Sequence, residues 1–162
     1  MKKTVLSCSL LLAFAAAAIA ADRHGATTVP RDVFGVLNGR FTFAGPYEGP
    51  WTTTGDVTGT LRHLGLAKMY TSHTTSPYGE ISGGRFEIVA ANGDRIQGHY
   101  TATGRYISDT QVLGTATLTI ETGSGRFDLA RGTIAAAFLE TLDDPTWASA
   151  GVSWTLEGTV HY

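Results

Sequence analysis

Residues 86–132 read FEIVAANGDRIQGHYTATGRYISDTQVLGTATLTIETGSGRFDLARG. Apolar and polar residues alternate on both sides of Asn92-Gly93, and again through Thr115 to Ile120, at the period of two that places side chains on opposite faces of a strand. Asn92-Gly93 predicts a two-residue type I′ hairpin turn, because both residues tolerate positive φ. A second break, the glycine-rich run Gly123-Ser124-Gly125 before Arg126-Phe127, separates two further alternating stretches. The segment has no nucleophile elbow, no metal-spaced His/Cys set and no phosphate loop.

Working outward, strand-like runs fall at about 34–43, 54–63, 66–74, 84–91, 94–103, 112–121, 131–140 and 151–162. Turn signals at Gly45-Pro46, Gly49-Pro50, Pro77-Tyr78-Gly79, Ser108-Asp109 and Asp143-Asp144-Pro145 separate them. No stretch sustains helical periodicity. Eight short strands with hairpin-length links predict an all-β, eight-stranded antiparallel up-and-down barrel of the calycin type.

The alternation also predicts the barrel's lining. Phe86, Ile88 and Ala90 share a face, as do Ile96, Gly98 and Tyr100; Ala116, Leu118 and Ile120; Ile134, Ala136 and Phe138; and Trp154, Leu156 and Val160. Glu87, Arg95, Gln97, Thr115, Thr117, Thr119, Ser153, Thr155 and Glu157 take the outer phase. Glycines at 59, 98, 114 and 158 lie within strand runs, where they mark bends, bulges or close backbone approach.

The first 20 residues read as a secretory leader: Lys2-Lys3, an apolar run from Leu10, and Ala18-Ile19-Ala20 at the cleavage site. A spanning helix needs roughly 20 apolar residues, more than this run supplies. Residues 21–32 are expected to form a flexible arm, with a single domain over 33–162. Secretion or periplasmic localisation is expected. Cleavage would remove Cys8, the sole cysteine, so the domain would depend on its core without a disulfide. A chain of this size can bury roughly 68% of its unfolded surface. Cleavage also leaves 10 basic residues against 14 acidic ones, a balance that disfavours nucleic acid as a partner.

Gly65-Leu66-Ala67-Lys68-Met69-Tyr70-Thr71-Ser72, Phe86-Glu87-Ile88-Val89 with Asn92-Gly93, Gly98-His99-Tyr100, and Gly123 to Gly132 ending in Ala130-Arg131-Gly132 resemble the barrel motifs of the dirigent and allene oxide cyclase superfamily, here as a bacterial secreted member. The resemblance spans roughly 36–162. It implies an eight-stranded barrel, often trimeric, that holds a hydrophobic reactive molecule and steers its coupling or cyclisation. Arg126 stands where lignan-forming dirigent proteins carry an acidic residue, which argues against quinone-methide coupling. Arg131 matches the arginine of the Ala-Arg-Gly motif. The catalytic glutamate and proline of the plant cyclases find no match.

Inward polar residues are the best independent pointers to a site. His63 follows Val57, Gly59 and Leu61 in phase, and Tyr100 follows Ile96 and Gly98. A histidine can exchange protons near neutral pH and a tyrosine hydroxyl can orient a ligand carbonyl; the structural alternative is a core His–Tyr hydrogen bond or a register slip at the glycines that turns either residue outward. The expected ligand pocket comprises His63, Phe86, Ile88, Tyr100, Phe138, Trp154 and Arg131, with Trp51 and Trp147 framing the barrel mouth. Glu87, Glu121, Glu140 and Glu157 form no recognisable dyad. The five histidines, at 24, 63, 73, 99 and 161, lack metal-ligand spacing, so neither metal nor cofactor is expected.

Three functional classes follow: a secreted barrel that binds or shields an apolar small molecule, a dirigent- or cyclase-like enzyme, and a structural protein whose barrel is filled. The apolar alternation of Trp154, Leu156, Val160 and Tyr162 also suits the last strand of an outer-membrane barrel. Short links and incomplete apolar bands favour a soluble barrel instead.

Overall fold

A computed structural model describes residues 28–46, 48–143 and 148–162. The expected leader, most of the expected arm, and Trp147 lie outside these residues. Eight strands follow one another: β1 (Pro30–Ala44), β2 (Trp51–Leu61), β3 (Gly65–Thr75), β4 (Ile81–Ala90), β5 (Arg95–Tyr106), β6 (Gln111–Gly123), β7 (Arg131–Leu142) and β8 (Ser149–His161). Each pairs antiparallel with its sequence neighbours, and β1 pairs with β8 to close the barrel. Closure leaves no free sheet edge among these strands.

The alternating pattern explains the interior. Leu37 and Phe41 from β1, Val57 and Leu61 from β2, Ile88, Ile96, Leu118, Ile134 and Leu156 are almost completely buried. The inner phases expected from sequence therefore hold around the barrel. Outward positions carry polar networks: Arg95 and Gln97 donate to Glu87, each at 2.9 Å, and Arg85 donates to Glu121 at 2.8 Å. Charged side chains on the outside and apolar ones inside invert the arrangement of a lipid-facing barrel. Among the described residues no helix is long and apolar enough to cross a membrane.

Three local expectations change. Strand β2 stops at Leu61, and Arg62-His63-Leu64 form a turn in which His63 takes φ +63°. The period of two therefore ends before His63, whose side chain is exposed. The β4–β5 hairpin uses a three-residue loop: the Gly93 amide donates to Ala90 O at 2.9 Å, and Gly93 alone has positive φ, +87°. That is a glycine-bulge loop instead of the expected type I′ turn, which would need positive φ at Asn92 as well. Finally, Pro30, Arg31 and Asp32, expected in the arm, belong to β1 and pair with Val160 and its neighbours in β8.

The two barrel ends differ. Between β6 and β7 the glycine-rich segment makes one short 3-10 turn, Gly125–Phe127, that drives the Phe127 ring into the interior. Phe127 packs edge-on against Tyr162 at 4.8 Å, and the Arg126 guanidinium lies 4.7 Å from the Phe127 ring centre. Arg126 also donates to Leu64 O at 3.2 Å. This end is plugged. At the opposite end, where β1, β3, β5 and β7 finish, the interior remains open.

Candidate functional site

The open end holds a cavity of about 210 Å³. Its walls include Phe43 from β1, Trp51 from β2, Ile81 from β4, Val112 from β6, and Phe138 and Leu142 from β7. The 76–79 loop forms one rim, with Arg105 and Tyr106 of β5 on another. An apolar cavity of about 150 Å³ is enough for a benzene-sized ligand, so this space suits a small ring compound.

An aromatic layer lies beneath it. Phe41, His73, Tyr100 and Trp154 form a closed circuit of edge-to-face contacts, with centroids 5.9 to 6.2 Å apart. Phe138 joins the circuit through Trp154 at 5.0 Å. The four perpendicular pairs of the circuit place the positive edge of one ring on the negative face of the next, whereas Phe138 lies tilted at 34° to Trp154. Space for the rings comes from glycine. A Cβ on Gly114 would overlap the Phe138 ring, and one on Gly55 would overlap Phe41.

His73 and Tyr100 supply the layer's buried hydrogen bond, with Nδ1 and the hydroxyl 2.5 Å apart. They stand on β3 and β5, separated by β4. Its residue opposite Tyr100 is Gly84, and the β3–β4 register shifts at His73, where Gly83 takes φ +65°. This bulge and the missing side chain let the two rings meet across the intervening strand. Burial lowers the His73 pKa to about 4, so its imidazole is neutral at physiological pH. Burial likewise raises the Tyr100 pKa and keeps its phenol protonated.

Glu140 is the second buried polar group at the cavity. It continues the inward phase of Ile134, Ala136 and Phe138, is 8% exposed, and makes no hydrogen bond or ion pair among the described residues. Burial raises its pKa to about 7. The carboxyl therefore exchanges a proton near neutrality. In the layer below, Trp154 Nε1 is buried without a hydrogen-bond partner among the described residues.

The residues expected at the pocket separate into groups. Phe138 lies on the cavity wall and Trp51 at its mouth. Tyr100 and Trp154 belong to the layer below, while Phe86 and Ile88 are packed in the filled part of the barrel. His63 and Arg131 are corrected: both lie at the plugged end, outside the cavity. Arg131 is exposed at the start of β7 and donates to Thr28 Oγ1 at 3.1 Å. The histidine that meets Tyr100 is His73. Sequence reasoning missed His73 and Glu140, although Ala67-Met69-Thr71 and Ile134-Ala136-Phe138 continue in phase to each of them. No cluster of metal-ligating side chains occurs among the described residues.

No protein-family model matches the chain, and no curated protein is similar to it. Among solved structures it is similar to the pterocarpan synthase dirigent protein GePTS1, with a TM-score of 0.51 and 17% identity over 85% of this chain and 88% of that one. Likeness at this identity is a statement about architecture, and the chain accordingly has a dirigent-like fold, an all-β closed barrel of eight antiparallel strands.

Proposed function

We propose that this protein is a secreted, soluble barrel that binds or shields an apolar small molecule in its open-end cavity. The observation that carries this reading is the contrast within one barrel. Its plugged end is filled around Phe127, whereas the other end keeps about 210 Å³ bounded largely by Phe43, Trp51, Ile81, Val112, Phe138 and Leu142. An eight-stranded barrel can be filled completely by side chains, so retained apolar space favours a container over a purely structural role.

Native mass spectrometry of the protein purified from its own host tests this, followed by denaturing extraction of any bound compound. A stoichiometric apolar compound is expected; a host-purified protein that is empty and takes up no apolar ligand would favour the structural reading.

A coupling- or cyclisation-directing enzyme is the second reading. Glu140 favours it, because a carboxyl with a pKa of about 7 beside an apolar cavity can deliver or accept a proton at working pH. The structural neighbour, a pterocarpan synthase dirigent protein, agrees with this reading. Secretion rests on the leader-like residues 1–20, and N-terminal sequencing of the exported protein is expected to begin at Ala21.

A further inference from the structure

We propose that the cavity takes an apolar ligand bearing a basic nitrogen, held as its ammonium ion against the Glu140 carboxylate. The inference rests on the container reading and adds the ligand's chemistry. Glu140 faces inward from β7, lines the cavity, is 8% exposed, makes no hydrogen bond or ion pair among the described residues, and meets the Tyr100 and Tyr106 phenols only through its charge. A buried charged group without a partner is costly, and a ligand can supply the missing one.

The other polar groups around the cavity differ from Glu140. Thr75 Oγ1 bonds Thr53 Oγ1 at 2.9 Å. Ser76 Oγ accepts from the amides of Tyr78 and Glu80 at 3.2 and 3.1 Å. His73 Nδ1 bonds the Tyr100 hydroxyl. Thus Glu140 is the acidic residue lining the cavity, and among the described residues no hydrogen bond or ion pair occupies its carboxylate.

The charges that face it do not fill that position. His73 from β3 is held neutral by burial, and the Tyr100 and Tyr106 phenols of β5 are shifted toward their neutral forms, also chiefly by burial. Arg105 stands at the β5 rim and makes no ion pair with Glu140. Asp143, just past the end of β7, is paired with Arg40. A neutral donor would leave the carboxylate charge uncompensated in an apolar space. An ammonium group neutralises it in a space lined by the aromatic side chains of Phe43, Trp51 and Phe138.

The pH response follows. Below neutrality Glu140 protonates and the ammonium loses its counter-charge, so amine affinity falls while affinity for an uncharged analogue does not.

The test is an NMR titration of the isotope-labelled, folded protein with phenethylamine, 2-phenylethanol and 3-phenylpropionate. These probes share an aromatic ring and differ in charge. At about pH 8 the amine is expected to bind about tenfold more tightly than the alcohol, with the carboxylate weakest. The preference for amine should shrink at about pH 5.5 and vanish in Glu140→Gln. Equal or tighter binding of the alcohol at about pH 8, or an amine preference retained in Glu140→Gln, would overturn the amine assignment and leave the container reading intact. If none of the three probes perturbs the resonances of Ile81, Val112 or Phe138, both readings fall.

Discussion

The Nδ1 of His73 and the hydroxyl of Tyr100 lie 2.5 Å apart across a strand that contributes only Gly84 between them. The bond joins two buried rings in the layer under the cavity. Replacing Tyr100 by Phe keeps the ring's edge contacts but leaves a buried imidazole nitrogen unpaired, a loss of about 1–3 kcal/mol. Urea unfolding is expected to show a lower midpoint with an unchanged m-value. A midpoint equal to wild type would mean that the hydrogen bond adds nothing to stability.

Gly84 carries the next expectation. A Cβ there would lie 3.0 Å from Cδ2 and Cε2 of Tyr100 and still closer to its backbone carbonyl. Gly84→Ala is therefore expected to cost about 1–3 kcal/mol through overpacking and to displace the Tyr100 ring from His73. Paired with Tyr100→Phe in a double-mutant cycle, the two losses should be less than additive, since both remove the same bond. Strict additivity would show that Gly84 does not control this contact.

His73 and Glu140 give opposite pH dependences. The folded His73 pKa, about 4, is below its ordinary 6.5, so its contribution is present above pH 6.5 and is lost as pH falls toward 4. The folded Glu140 pKa, about 7, is above its ordinary 4.5, so its contribution is present below pH 4.5 and is lost as pH rises through 7. Each effect amounts to about 3 kcal/mol at 1.36 kcal/mol per pKa unit, and the two nearly cancel between about pH 4.5 and 6.5. Relative to wild type, Glu140→Gln should gain stability steadily over about pH 4.5–7. His73→Gln should gain it toward acid pH instead. Chemical denaturation at half-unit pH steps checks both, and parallel curves for all three proteins would contradict the assigned burial.

Phe138 and Gly114 offer a steric test of the cavity wall. Gly114→Ala drives a methyl group into the Phe138 ring and is expected to lower the melting temperature; adding Phe138→Leu should recover part of the loss. No recovery would mean that the strain lies in the backbone rather than between these two side chains.

The barrel was legible because its strands alternate cleanly: a period of two from Ile134 to Phe138, or from Trp154 to Leu156, admits one inward face. The site was less legible because it forms where that regularity is interrupted. Reading the alternation of β2 beyond Leu61 sent His63 inward, whereas a left-handed residue in the turn sends it out. His73 sits at a register shift that depends on Gly83, a backbone feature with no period of its own. Glu140 continued a readable phase, yet its charge made it look like a strand-end residue. Its burial becomes clear only once neighbouring strands close around it.

The most direct measurement is a crystal structure of the protein grown with bromobenzene, with the bromine located by anomalous scattering. The expected peak lies at the open end, among Phe43, Ile81, Val112 and Phe138, with none beside Phe127 at the plugged end. An empty open-end cavity, or bromine found only on the outer wall along Thr115, Thr117 and Ala137, would contradict the account of this barrel as an apolar container.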